Sequence, residues 1–415
     1  MSAHGHPKAI GGRMLDPLMK VLLVLFGISA AVMGYRFLTG IGPVSNMTDG
    51  FTWGIWEPVN VVVFTGIGAG AYAVGLLCYL LNKGKYHGLV RPAVLVGAIS
   101  YTLGASSIVV ALGRYWNAYW LAWLPYWNLG SALLEVAVCV LSYVMVLWVE
   151  VLPAVFDGAA QSKSPTWSAF GKKWGARLAL AMPFIIALAI LLPSMHQSSL
   201  GGLMLIAGPK IHPLWHTALL PTLFLVSCLS MGFGAVVILV NLLRLSWDAK
   251  ADQRLFADMS RVNAGLLFFY VALRLGDIAL HGKLRFLGAN FPTFLFACEL
   301  ALFLAPAIMF ISPAVQQNRG RLFGAALLAV AAGAAYRVDS YMTMYRPAGW
   351  TDGVANPSGW NYWPSLGELS VTIGMAAIGV AIFIFISRKF PVVVVQDART
   401  HSNLGAGPVK AVASR

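Results

Sequence analysis

The sequence predicts an all-α polytopic membrane protein with ten transmembrane helices, and three observations carry that prediction. Apolar residues make up 59% of the 415 and charged residues 11%, with a mean hydropathy of +0.74; soluble domains of this size do not have that balance. The apolar runs last about 20 residues, the length that crosses a bilayer as a helix. They are rich in Leu, Ala and Gly and lack the short alternation of barrel strands.

In chain order the runs lie at 18–38, 59–81, 91–112, 129–152, 174–193, 216–242, 262–280, 291–315, 321–341 and 366–387. Residues 1–17 are polar and the first run is long enough to span, so a cytoplasmic N-terminal segment without a cleavable signal is expected. A flanking helix and outer loop then fill 18–58, and a first four-helix bundle 59–193. A loop at 194–215 leads to a second four-helix bundle at 216–341. An outer loop and flanking helix cover 342–387, and a flexible cytoplasmic tail covers 388–415. The two bundles are read from an echo between spans four apart. GIGAGAYAV (66–74) in span 2 matches MGFGAVVIL (231–239) in span 6; Arg91 and Tyr101 match Arg261 and Tyr270, and Asn128 and Glu135 match Asn290 and Glu299. An even offset makes this a parallel pseudo-repeat.

The net charge of +14 is a topology signal rather than a nucleic-acid one. Twenty-one Lys and Arg fall on the termini and the loops that share their side, and eight on the opposite loops and span ends. The positive-inside rule puts both termini in the cytoplasm of a bacterial inner membrane, with anionic membrane lipid as the nearest partner of the basic loops. The four cysteines lie singly inside spans, so this chain supplies no iron–sulfur ligand set and they read as small packing residues. The histidines near spans cluster at the outer end with no facing pair, which argues against b-type haem. The glycines at 66, 68 and 70 sit within a span and read as helix packing, not a phosphate loop.

The outer loops carry the aromatics. Residues 113–128 hold four Trp and three Tyr, with Arg114, Asn117 and Asn128 among them, which reads either as an interfacial belt or as a docking surface. Ionisable groups inside spans default to functional candidates. Glu135 sits about 10 Å deep from the outer face at 1.5 Å per residue, and is either a proton-exchanging acid or a helix-bridging one. Asn60, His196, Gln197 and Arg114 belong to the same outer third. Under a lid of rings such as Trp116, with Asn128, they form a hydrogen-bonding set suited to a flat ligand with two carbonyls, a quinone. His196 reads equally as a cap on the end of span 5. Tyr101 and Arg91 lie deeper on span 3 and with Glu135 can form a proton route, or be a packing tyrosine and a snorkelling arginine. His212 and His216 read as loop-ordering. Arg274 and Asp277, spaced i,i+3, can pair on one helix face; Arg337, Glu299 and Glu368 read as structural pairing groups.

Taken together, GGRM (11–14), DGFTWGIW (49–56), KYHGLVRPAVL (85–95), LGRYWN (112–117), SALLEVAVC (131–139), LLPSMHQSSLGGLM (191–204), KIHPLWH (210–216) and YWPSLGELSVTIG (362–374) resemble the NrfD/PsrC-type membrane subunits, most closely their HybB-like hydrogenase-2 branch. The resemblance covers nearly the whole chain. It implies a haem-free subunit that exchanges electrons between menaquinone or ubiquinone and a periplasmic ferredoxin-like iron–sulfur subunit, with hydrogenase small and large subunits further out. The chain departs from that branch at Asn60 and near Leu239, where an acid is usual, and Asn60 cannot relay a proton. A subunit of a molybdenum reductase or multihaem cytochrome complex is the alternative within the family. A secondary transporter, with helices broken near Pro183 or Pro306, is the alternative outside it.

Overall fold

The computed structural model describes residues 7–51, 53–247, 253–356 and 362–394; the expected tail beyond 394 lies outside them. Ten helices among the described residues are long and apolar enough to cross a membrane. They are α1 (Pro17–Thr39), α2 (Glu57–Leu80), α3 (Val90–Ala111), α4 (Ala132–Ala160), α5 (Pro165–Ile206), α6 (Leu220–Trp247), α7 (Gln253–Leu280), α8 (Phe291–Ile311), α9 (Arg319–Thr343, its last turn widened) and α10 (Leu366–Lys389). Side-chain caps start many of them. Asp16 accepts from Met19 N at 2.8 Å ahead of α1, Asn290 from Thr293 N at 3.0 Å ahead of α8, and Ser365 with Glu368 closes a capping box on α10.

Helix α2 packs on α3 and α5, α3 on α4, and α4 on α5; α6 packs on α7 and α9, and α8 on both α7 and α9. Helices α1 and α10 pair at the side, with α10 against α3. The middle of the assembly is α2 against α6, whose apolar windows are 78% and 72% buried, against 11% for α1. Small residues permit that approach: a side chain on Gly232 would come within 2.7 Å of the Ala69 backbone, and one on Gly70 within 3.1 Å of the Gly232 carbonyl. The two echoing glycine motifs therefore touch each other. Ten crossings bring the chain ends to one side, where Pro7–Lys8 (β1) pairs antiparallel with Val393–Val394. On the far side a short hairpin, Trp350–Thr351 with Val354–Ala355, stands beside the 207–219 loop.

One boundary is corrected. Residues 194–206, expected in a loop, are the last turns of α5. The helix runs through Pro183 and Pro193, and its polar side chains turn back onto its own carbonyls: Ser194 on Ile190 (2.8 Å), Ser198 on Ser194 (2.9 Å) and Ser199 on Met195 (3.0 Å). Polarity that reads as loop is thus satisfied inside a helix. Helix α8 likewise continues through Pro306, so none of the three prolines breaks a span.

Candidate functional site

Because His196 lies well inside α5, it is not a cap on the end of a span. It is fully buried, and both ring nitrogens are engaged: Nδ1 with Leu192 O at 2.9 Å and Nε2 with the Tyr101 hydroxyl at 2.8 Å. A carbonyl can only accept, so Nδ1 carries the proton and Nε2 accepts from Tyr101. Gln197 then donates to the Tyr101 oxygen (3.1 Å) and to Thr65 Oγ1 (3.1 Å), whose own proton goes to Val61 O (2.6 Å). The Gln197 amide oxygen accepts from the Arg337 guanidinium at 3.0 Å. The result is a one-way chain across three helices, from the Arg337 cation through Gln197 and Tyr101 to the imidazole. Tyr143 from α4 packs its ring edge-on against Tyr101 at 4.6 Å.

Arg337 is the unusual member. It is fully buried and holds Gln197, Phe224 O (3.0 Å) and the Met231 sulfur (3.4 Å), with its side lying over the Phe224 ring at 4.9 Å. No carboxylate among the described residues pairs with it, and one terminal nitrogen has no partner. An uncompensated cation in a dry interior is costly. Nearby on α2, buried Asn60 leaves both amide atoms unpartnered, and each such group costs about 1–3 kcal/mol. Arg337 and Asn60 thus each carry buried polar atoms without a partner among the described residues.

The structure brings Tyr101, His196 and Gln197 into contact and leaves Asn60 buried but outside the hydrogen-bond chain. Other expected site residues lie elsewhere. The buried stripe of α4 is Val136, Cys139, Val140, Tyr143 and Leu147; Glu135 sits off that stripe, exposed on the bundle surface, with its carboxylate accepting from Ser199 Oγ at 2.6 Å. Arg91, at the opposite end of α3, ties Asp157 (2.6 Å) and Pro391 O (3.2 Å) and does not approach Tyr101. Arg114, Trp116 and Asn128 are exposed on the 112–131 loop, where Asn128 Oδ1 accepts from Gly130 N at 3.1 Å. The sequence could not give their direction around the bundle. Arg337, Thr65 and Tyr143 were missed as site residues. The signal for Arg337 was there: a cation inside a span with no acid three or four residues away.

The second polar core is closed. Arg274 grips Glu299 of α8 with two hydrogen bonds (2.7 and 3.1 Å), and Tyr270 donates to the same carboxylate at 2.7 Å. Arg274 therefore does not pair with Asp277. That acid instead takes Lys283 (2.6 Å) and Thr217 (2.6 Å) at the loop edge, because the long guanidinium reaches inward where the short carboxylate stays at the rim. In the far-side loop His212 is buried, accepts from Leu214 N at 3.2 Å and lies against Trp350; burial pushes its pKa down to about 4.

Comparison with known proteins places the chain in a family. The family model for NrfD, polysulphide reductase, matches residues 43–340. The chain belongs to the NrfD family. This NrfD-family chain is 32% identical over 390 residues, 93% of its length and 95% of the relative's, to the probable Ni/Fe-hydrogenase 2 b-type cytochrome subunit of Escherichia coli (strain K12). It is 27% identical over 342 residues, 75% of this chain and 76% of the relative, to the menaquinone reductase integral membrane subunit of Nitratidesulfovibrio vulgaris. As an NrfD-family member with ten apolar helices it is an integral membrane protein, a membrane subunit of a quinone-linked respiratory oxidoreductase complex. The name of the Escherichia coli relative mentions a b-type cytochrome, but the residues here do not fit bis-histidine haem ligation. Among the described residues His196 alone lies in the interior of a span, with both nitrogens bonded, and His87 is exposed at a span end.

Proposed function

We propose that the chain is the haem-free quinone-reacting subunit of a bacterial inner-membrane complex, in which electrons pass between quinone and a periplasmic ferredoxin-like iron–sulfur subunit. A NiFe hydrogenase, with its small and large subunits further out, is the complex that the Escherichia coli relative favours. The relative named for menaquinone reduction favours another NrfD-type complex as the second reading. The observation that carries the quinone reading is the Arg337–Gln197–Tyr101–His196 chain. A bound quinone supplies two carbonyl oxygens that gain negative charge on reduction and then take protons. Arg337 and the Asn60 amide stabilise that charge, and Tyr101 with His196 holds a transferable proton at Tyr101 Oη. Glu135 and Ser199, hydrogen-bonded on the exposed flank of α4 and α5, mark where the headgroup enters from the bilayer.

In this reading both termini are cytoplasmic, and the four helices α2–α5 and the four helices α6–α9 form parallel pseudo-repeats. Exposed Arg114, Trp116 and Asn128 belong to the docking face for the external partner rather than to the quinone grip. Arg91 is a structural tie. The test is donor-to-quinone electron transfer in membranes holding the assembled complex, with an azido-quinone as label. Labelling of α5 near His196 that excess quinone suppresses supports the reading. Co-purification of an iron–sulfur partner without quinone turnover or labelling leaves only a passive anchor and ends it.

A further inference from the structure

Directly on the terminal side of the buried chain, a narrow cavity lies between α2, α3, α4 and α5. It leaves about 10 Å³ open to the centre of a water molecule, the room one water needs. Its polar lining is Tyr72, Tyr79, Tyr143 and Glu150, and Ile190 forms part of the opposite wall. Tyr79 is 38% exposed and stands at the end of α2 on the side of the chain termini. At the deep end is Tyr143, wholly buried, its ring against Tyr101 (4.6 Å) and His196 (5.8 Å), and its hydroxyl without a partner. Glu150 follows Tyr143 by two turns on the same face of α4, about 10 Å along the axis. Both side chains line the same cavity. Among the described residues Glu150 makes no hydrogen bond or ion pair.

An acid without a partner in a span is costly as an anion and is retained for a reason. A buried hydroxyl without a partner costs about 1–3 kcal/mol, and the cavity that Tyr143 and Glu150 both line has room for one water. No ion pair or bundle-tying hydrogen bond explains Glu150, in contrast to Glu299, Glu368 and Asp157, each of which is held by neighbours.

We propose that Glu150 is the proton-holding residue on the terminal side of the site, delivering protons through a cavity water and Tyr143 to the Tyr101–His196 pair. This rests on the quinone reading above. Each quinone reduced takes two electrons from the iron–sulfur partner and two protons. Once Tyr101 Oη has given its proton to the quinone oxygen, Tyr143 releases its hydroxyl proton to Tyr101 Oη and takes one from the cavity water, the water takes one from the Glu150 carboxyl, and the carboxylate is reprotonated from solvent past Tyr79. Oxidation of quinol runs the same steps backwards. Glu150 acts through other groups and is a positioned donor, not a quinone ligand.

The experiment uses membranes with the complete complex carrying wild type, Glu150→Gln, Glu150→Asp and Ile190→Phe. Glu150→Gln is expected to lower quinone-linked turnover roughly 100-fold, the scale of a lost proton donor, and Glu150→Asp to recover part of it. Binding of a quinone-site inhibitor stays unchanged. Redox-difference infrared spectra of wild type show a carboxylic-acid C=O band that shifts in D2O and is missing in Glu150→Gln. Ile190→Phe fills the cavity, keeps the acid and is expected to slow turnover as well, which serves if Glu150→Gln fails to assemble. Wild-type turnover in assembled Glu150→Gln or Ile190→Phe, or a spectrum without that band, overturns the assignment while the quinone reading stands. Absence of quinone turnover in the wild-type complex removes the quinone reading and this inference with it.

Discussion

Replacing Tyr101 with phenylalanine deletes one oxygen from the middle of the buried chain and leaves its volume almost intact. That oxygen donates to His196 Nε2 at 2.8 Å and accepts from Gln197 Nε2 at 3.1 Å. Gln197 keeps Thr65 and Arg337 as partners, so the stability cost falls at the low end of the range for a lost buried hydrogen bond, about 1 kcal/mol. The functional loss is far larger. The site loses the transferable proton held at Tyr101 Oη, and loss of a positioned proton donor costs about 10²–10⁴-fold in rate. The assay is donor-to-quinone turnover in membranes, normalised to assembled complex, with thermal denaturation of the purified complex alongside. Assembled Tyr101→Phe with turnover within about threefold of wild type would refute the reasoning, because that result falls well short of the stated loss.

Three further outcomes are expected. Glu299→Gln leaves the Arg274 cation buried with a neutral partner, and the complex should lose about 3–5 kcal/mol of stability; an unchanged melting temperature shows that the bidentate pair is not a structural tie. Gly232→Val drives a side chain into the Ala69 backbone, and should block assembly of α2 on α6, read as loss of protein from membranes; normal levels would mean that this contact is loose. His212 is held neutral, at about 4 against an ordinary 6.5. Because its folded value is depressed, an unfolded loop binds the proton first as pH falls, so stability is full above 6.5 and declines between 6.5 and 4. Amide protection factors in the 350–355 hairpin, taken against the intrinsic rate at each pH, should fall over that window and should not in His212→Phe.

Ten spans were legible because a bilayer demands about 20 apolar residues per crossing and internal satisfaction of every backbone group. His196, Gln197 and Tyr101 were legible as site candidates because polar groups inside spans are costly and few. Boundaries at polar ends were not. MHQSS reads as loop, yet its serines bond back to their own helix, and α5 continues to Ile206. Neither proline in α5 shows in the sequence whether its helix breaks or continues.

Composition and periodicity by themselves determined how many helices are long and apolar enough to cross, because a crossing needs about 20 apolar residues. Direction around each helix was decided only by packing. Glu135 turned outward to Ser199, Arg337 turned inward to Gln197 from a helix 140 residues away in sequence, and Tyr143 and Glu150 came to line one cavity. A span that is apolar all round carries little record of which face meets lipid, so the partners of its rare polar groups emerge only when the helices close on one another.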